Sequence, residues 1–517
     1  MSLLGIDVGT SGCKAAVFSK DGWLLASTYE EYDTQRSQPG WAELDALQVW
    51  EQIRRVIAEA VRSVADDPVQ ALSVSSLGEA LVPVSSRREI LGPSLLNFDA
   101  RGAEYLPGLG RAITPEQLFW LNGNILGNHY SLTKLLWLKE HQPILYNRAD
   151  WFLHWSGLVA FMLGADPTVD YSLANRTLLF DLDKADWSTE LLEWAQLERS
   201  KLPKTVPAGS VIGVVSSSVG RMLGLTPGIP IVSGGHDQCC NSLGCGVIDP
   251  GQAMYGMGTY ICMTPVFSRR PDPSAMIAQG LNIEHHVVPG QFVSFIYNQG
   301  GALVKWFRDT FASAERKEAF TTPSMGGERW YSRLRKGGSG DSLYSLLMSE
   351  MPAEMSRVLV LPHFTATGPP YFIADSSGVM AGLHLDTSRG EILKGILESA
   401  TFYLRECFEK LPEGIAVNDF RAVGGGSQSD AWLQISADIL GRPFIRPAIH
   451  EAGVLGAAIL AGSGSGIFPS LSAGVERMVR LEQTFTPDPA RQEQYAQRFE
   501  KYKQLYPLLA SYLSKLG

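Results

Sequence analysis

Three glycine-rich turns and one isolated acid carry the chemistry legible in this sequence. The turns are Asp7-Val8-Gly9-Thr10-Ser11, Gly256-Met257-Gly258-Thr259 and Gly424-Gly425-Gly426-Ser427. Phosphate groups need backbone N–H donors brought close without obstructing side chains, and glycine beside a small hydroxyl residue supplies them. In the first turn Asp7 stands at a strand end and can hold a magnesium ion directly or through water, while Lys14 can reach a phosphate oxygen. Taken alone, Asp-x-Gly-Thr serves an ordinary hairpin as readily as a phosphate, and Gly258-Thr259 is equally ambiguous. The triple glycine at 424–426 is more specific, because its entropic cost on folding points to something that must approach the backbone closely. The acid is Asp237 in Gly234-Gly235-His236-Asp237, where small residues surround one protruding carboxylate. It reads as the N-cap of a following helix or as a base that accepts a hydroxyl proton. His236 reads as a packing or supporting histidine rather than a second acid–base group.

The elements that must position these residues follow from periodicity. Residues 3–6, 15–18 and 24–27 read as a β-meander, with Asp21-Gly22 as a hairpin turn. Apolar residues at Leu47, Trp50, Ile53, Ile57, Val61 and Val64 line one face of a helix over 45–64, and 69–75 returns to a strand. A short strand at 231–233 stops abruptly at Gly234, and residues 151–165 read as one buried helix, too short for the roughly 20 residues that span a bilayer. From 252 the pattern of strand, glycine-threonine turn and strand returns, an echo of the chain's opening that suggests two related halves, 1–246 and 247–517. A long helix over 393–411, a strand at 420–423 and a helix over 430–440 complete the second half, with exposed loops around short helices expected in 315–349.

At 517 residues the chain is too long for one core, so two large domains are expected. The balance of 44 basic against 53 acidic residues, with no basic stripe, disfavours a nucleic-acid partner. The opening residues lack the pattern of a signal peptide, so the sequence reads as cytoplasmic, with no membrane association. Its six cysteines form no paired CxxC set, and Cys239, Cys240 and Cys245 read as small residues packed inside a helix rather than a metal cluster. None of the three turns is GxxxxGK[ST] or a GxGxxG opening a first helix, which makes a P-loop NTPase or a dinucleotide-dependent oxidoreductase a poor candidate.

The motifs together resemble those of the FGGY carbohydrate kinases, within the actin, hexokinase and Hsp70-like ATPase superfamily. The likeness runs through Gly5 to Ser11, Pro39-Gly40-Trp41-Ala42-Glu43, Gly234 to Asp237, Gly258-Thr259, Gly424 to Ser429 and Glu451 to Ala458, in that order and over nearly the whole chain. It implies an α/β fold of two ribonuclease-H-like domains flanking a catalytic cleft, the sugar mainly on 1–246 and ATP mainly on 247–517. By position it implies Asp237 as the general base and Asp7 as the magnesium-associated acid. Thr10, Ser11 and Lys14 fall in the first phosphate loop, Gly258 and Thr259 in the second. Gly425, Gly426 and Gln428 fall at the adenosine, and Gly301 borders the nucleotide. A homodimer is compatible with the resemblance. The superfamily also contains chaperone-like and filament-forming ATPases, from which a polar sugar site in the first domain would distinguish this chain.

Departures from the family pattern bear on the substrate. Where glycerol kinases have Arg-Glu and xylulose kinases Met-His, this chain has Gly78-Glu79, and a carboxylate at Glu79 can accept bonds from two vicinal hydroxyls. Asn97 replaces a tryptophan upstream of Asp99 and Arg101, which are expected to form an ion pair shaping the pocket. His129 falls where glycerol kinases have a substrate-contacting tyrosine. These departures argue against glycerol and favour a ketopentose such as D-xylulose, ahead of other ketoses, alditols or sugar acids.

Overall fold

The computed structural model describes residues 1–313, 315, 343–365, 367–369, 371–373 and 377–516. Most of the loop region expected in 315–349 lies outside these residues, although Leu343–Ser349 is a helix.

Two sheets share one plan. In the first, Ser2–Val8 pairs antiparallel with Gly12–Ser19, which pairs antiparallel with Leu24–Glu31. On its other side Ser2–Val8 lies parallel to Val69–Ser76, followed by parallel Pro230–His236 and antiparallel Val211–Val214. In the second, Gly251–Met257 pairs antiparallel with Tyr260–Phe267, which takes Ile296–Gln299 and Phe292–Val293 antiparallel. On the opposite side Val417–Val423 and Phe444–Pro447 run parallel, and Leu481–Phe485 closes the sheet antiparallel. The glycine-threonine echo seen in the sequence is thus the visible part of a repeated five-strand topology, the ribonuclease-H-like arrangement of actin- and hexokinase-type proteins.

Local chemistry accounts for most element ends. The helix Ala46–Arg62 starts where Asp45 accepts the N–H groups of Leu47 and Gln48 at 3.1 and 3.0 Å, and it buries Val49, Ile53, Val56, Ile57 and Ala60 on one face. The helix expected over 393–411 runs over Arg389–Glu409, because Ser388 accepts the N–H of Glu391 at 3.1 Å and starts it a turn earlier. One element is corrected. Residues 151–165 are a strand, Trp151–His154, followed by a helix, Trp155–Leu163. The strand pairs antiparallel with Leu81–Val84, and a continuous apolar run carries no periodicity that separates the two.

A late segment binds the two halves together. The helix Ala452–Gly464 packs on Ser2–Val8 and on the helix Asp237–Gly244. The approach is close enough to demand glycine: a Cβ on Gly456 would sit 2.0 Å from the Cys240 carbonyl oxygen, and one on Gly5 1.9 Å from that of Val454. Around this helix a shared core joins Leu3, Phe18 and Leu243 to Met254, Val266 and Leu455, between the separate cores of the two sheets. Among the described residues no helix is long and apolar enough to cross a membrane. Cys239 and Cys240 are buried in the helix Asp237–Gly244, and Cys245 follows it.

One buried acid gives the fold a pH dependence. Glu398, on the Arg389–Glu409 helix, is fully buried and accepts the Tyr495 hydroxyl at 3.0 Å, and burial pushes its carboxyl up to about 7. A raised acid stabilises the folded state fully below its unfolded pKa and loses that contribution as pH rises through the folded value. Glu398→Gln is therefore expected to flatten the fall in stability between pH 5 and 8 and to raise stability at pH 8 by roughly 1–3 kcal/mol. Urea melts across that range check it, and parallel wild-type and variant curves would refute it.

Candidate active site

The strand Pro230–His236 carries the central acid to its place through a bulge. Val232 opposes Ser73 and Gly235 opposes Ser75, so Ser233 and Gly234 share the place of Val74 alone. Such a bulge re-aims the residues beyond it. Glycine is required there, since a Cβ on Gly234 would lie 1.8 Å from the Val74 carbonyl oxygen. Asp237 then opens the helix Asp237–Gly244. The N-cap position belongs to His236, whose side chain makes no cap bond, so the reading of Asp237 as a cap is corrected and its carboxylate is left for other partners. Burial raises its proton affinity, and the neighbouring His236 opposes that rise.

Asp7 faces the same space. It ends the inner strand of the first sheet, accepts the Ser75 hydroxyl at 2.7 Å, and is pushed up to about 7 by burial and then by the charge of Asp237. Asn241 lies one turn beyond Asp237, on the same helix face. A Cβ built on Gly453 would stand 3.2 Å from Asn241 Oδ1 and 3.6 Å from Asp7 Oδ1, so the two oxygens converge over that glycine. Two converging oxygens, one on a partly buried carboxylate whose nearby cation, Lys14, is paired with Glu451, fit a hard divalent cation that keeps most of its waters. Lys14 lies opposite Asp7 in the hairpin and forms an ion pair with Glu451, at the start of the Ala452–Gly464 helix. Thr10 and exposed Ser11 form the tip of that hairpin, closed by the Gly9 N–H donating to the Gly12 carbonyl at 2.9 Å.

The glycine turns of the second half gather beside this group. Gly258 and Thr259 are exposed, and their carbonyls accept the N–H groups of Gly301 and Ala302, both at 3.0 Å, at the start of the helix Gly301–Phe311. The Gly424–Gly426 turn rests on Met257: a Cβ on Gly424 would meet its carbonyl oxygen at 3.0 Å, and one on Gly426 its side chain at 2.9 Å. Gly425 faces open space. Gln428 bonds His450 at 2.6 Å, next to the Glu451 that holds Lys14, so residues 450–451 connect the third turn to the first.

On the far side of Asp237 lies a buried charge network that the sequence did not reveal. Glu79, in a left-handed conformation at φ 55°, accepts two bonds from Arg176, one at 2.7 Å from Nε. Arg176 also donates to Glu284 at 3.2 Å and lies over the rings of Tyr130 and Phe295. Glu284 in turn bonds His236 at 2.9 Å. The Arg176 guanidinium holds the Glu79 carboxyl below its usual range against the effect of burial. Gly78 leaves its loop room against His236, where a Cβ would be 3.0 Å from Nε2. The His129 ring lies tilted against that of Tyr130, with centroids 3.9 Å apart, and is pushed down to about 4, by burial and then by the Arg176 cation, so it is neutral at physiological pH. His236, Cys239 and Glu284 also stand close enough to suggest a metal centre, a grouping invisible in sequence spacing. Their hydrogen bonds to one another and the Arg176 bond to Glu284 already account for it.

Asp99 and Arg101 form the expected ion pair, with bonds of 2.9 and 2.6 Å, and Arg101 reaches Glu43 at 2.7 Å. The guanidinium lies over the rings of Trp41 and Trp137, and the Ala42 N–H donates to Asp99 at 2.6 Å. Both residues are buried and their bonds run to this loop framework, which explains why the Pro39 to Glu43 motif accompanies them.

Sequence reasoning missed Arg176, Glu284, Asn241 and the bridging role of His450 and Glu451. Asn241 was findable from its four-residue spacing to Asp237; Arg176 and Glu284 stand in no local pattern.

Paired hairpins of one topology, with glycine turns gathered near a carboxylate and a buried charge network beside it, form an arrangement suited to phosphoryl transfer, which depends on positioning and charge neutralisation. Residues 2–244 match the N-terminal domain of the FGGY family of carbohydrate kinases and 258–465 its C-terminal domain, and the chain belongs to that family. It is 28% identical over 519 residues to the autoinducer-2 kinase of Escherichia coli strain K12, covering 98% of this chain and 94% of that one. It is 25% identical over 508 residues to the xylulose kinase of Bacillus subtilis, with 98% and 96% covered. The crystal structure of xylulose kinase from Rhodospirillum rubrum superposes with a TM-score of 0.83 at 25% identity, covering 99% of this chain and all of that one. Family membership carries sugar-kinase activity with ATP as the phosphoryl donor.

Proposed function

We propose that this kinase transfers the γ-phosphoryl group of ATP to a hydroxyl of a small polyhydroxy ketone, with conversion of D-xylulose to D-xylulose 5-phosphate as the leading case. The observation that supports the reading most is the position of Asp237, with the glycine hairpins on one side and the Glu79–Arg176–Glu284–His236 wall on the other. Residues 1–246 hold mainly the sugar and 247–517 mainly the nucleotide. The autoinducer-2 kinase relative makes autoinducer-2 the second candidate.

In this mechanism the sugar lies against the pocket wall formed by Gly78, Glu79 and neutral His129, with Arg176 fixing the Glu79 carboxylate. Asp99 and Arg101 hold the loop that frames it. Asp237 accepts the proton of the reacting hydroxyl as the oxygen attacks phosphorus, and the bond to the leaving ADP oxygen breaks in line. Backbone N–H groups at Thr10, Ser11, Gly258 and Thr259 bind phosphate oxygens, Lys14 leaves Glu451 to neutralise them, and Gly301, Gly425, Gly426 and Gln428 border the adenosine. Asp7 and Asn241 are the residues that would hold magnesium. Bound there, the ion would neutralise charge on the β- and γ-phosphate oxygens.

ADP release measured over D-xylulose, autoinducer-2, gluconate and glycerol tests the reading: a polyhydroxy ketone is expected to give the highest kcat/KM. A preference for glycerol or gluconate would overturn the substrate assignment, and no stimulation by any sugar would overturn the kinase assignment to Asp237. Lys14→Met is expected to raise the KM for ATP roughly tenfold, one charge-assisted bond, with the sugar KM unchanged. A change confined to the sugar KM would move Lys14 to the other side of the cleft.

A further inference from the structure

His236 is clamped from several directions, although it touches none of the groups that bind phosphate. Its backbone N–H donates to Ser172 Oγ at 2.9 Å, and that hydroxyl donates to Asp170 at 2.6 Å. Its Nδ1 bonds Glu284 Oε1 at 2.9 Å, while Arg176 holds the other Glu284 oxygen at 3.2 Å. Phe295 packs edge-on at 5.2 Å, and Gly78 presses on the ring from the opposite loop. The remaining nitrogen, Nε2, stands 3.4 Å from Asp237 Oδ1. Asp237 itself receives only a 3.2 Å bond from its chain neighbour Gln238 among its side-chain hydrogen bonds in the described residues.

We infer that His236, held by Glu284 and Arg176, is a positioning residue that orients the Asp237 carboxylate through Nε2, 3.4 Å from Oδ1. The inference rests on the reading of Asp237 as the base. Glu284 comes from the strand Glu284–His285 of the second sheet, so the device ties the base in the first half to a residue of the second. Ionisable groups face the imidazole from the elements packed against it, Glu284, Asp237, Arg176, Glu79, His154 and Cys239, and Asp7 faces the Asp237 carboxylate from the first strand. Burial alone would keep the ring neutral, but the Glu284 carboxylate, by charge and by hydrogen bond, raises it to about 9. His154 is pushed down to about 3 by burial and stays neutral. At neutral pH the ring is therefore a cation beside Asp237, and its charge lowers the proton affinity that burial raises.

Glu284→Gln keeps the shape and removes the counter-charge, so His236 loses its proton and Asp237 becomes more basic. The acid limb of kcat/KM for the sugar is expected to move to higher pH by about one unit, with the KM for ATP unchanged. Asp237→Asn is assayed in parallel. If Asp237→Asn stays active, the base reading itself fails. If Asp237→Asn is inactive and the acid limb of Glu284→Gln coincides with that of wild type, this inference alone fails. Should Glu284→Gln not fold, histidine-labelled wild-type protein followed by NMR decides instead. One imidazole titrating above pH 8, and moving in Asp237→Asn, is expected, and the absence of any histidine titrating above about pH 7.5 overturns the inference.

Discussion

Asp237→Asn is expected to lower kcat by about 10²–10⁴, the range contributed by a positioned acid–base group, while binding of sugar and ATP changes by only a few fold. Asparagine has the shape of aspartate and can still accept from His236, 3.4 Å away, so the fold around the bulge at Ser233–Gly234 has no reason to move. It cannot accept the hydroxyl proton. Because burial raises the Asp237 carboxyl, the wild-type base should lose activity on the acid side at a higher pH than an exposed aspartate would. Steady-state ADP release with calorimetric ATP binding measures both parts. A variant that keeps more than about a tenth of wild-type kcat would remove Asp237 from the chemistry.

Arg176→Met is expected to cost about 3–5 kcal/mol of stability, the usual consequence of removing one partner from a buried ion pair. The guanidinium is close to fully buried and neutralises two carboxylates, Glu79 and Glu284. Methionine fills much of the volume but leaves both acids in a low-dielectric wall, one of them on a residue already held at positive φ. Adding Glu79→Gln takes away one stranded charge and is expected to recover part of the loss. Arg176→Lys should not rescue, because a single ammonium cannot fork between Glu79 and Glu284. Denaturant melts measure all three. An Arg176→Met protein within about 1 kcal/mol of wild type would mean that the wall is solvated and the network contributes little.

The parts of this site that were legible before the fold share one property: their constraint is local. A turn that a nucleotide is to approach closely must contain glycine within a few residues, so Gly9-Thr10, Gly258-Thr259 and Gly424 to Gly426 stand out whatever surrounds them, and Asp237 stands out among the small residues that its bulge requires. The glycines of Ala452–Gly464 belong to the same class, since a helix crossing at contact distance leaves no room for a Cβ. The ion pair of Asp99 and Arg101 was readable because both partners sit two residues apart.

What sequence reading got wrong or passed over was settled at long range. Residues 151–154 became a strand because Leu81–Val84 was available to pair with them. His236 rather than Asp237 takes the N-cap, just beyond the register slip between Pro230–His236 and Val69–Ser76. Arg176 and Glu284 lie 97 and 205 positions from Glu79, and nothing in their neighbours marks them as buried. The sequence by itself thus determined the family, the repeated hairpins and the acid between them, because backbone geometry near a phosphate restricts residue type position by position. Only the tertiary structure decided what stands behind that acid, because the proton affinity of a buried carboxylate depends on which charges the fold brings within a few ångströms, and distance in space leaves no trace in spacing along the chain.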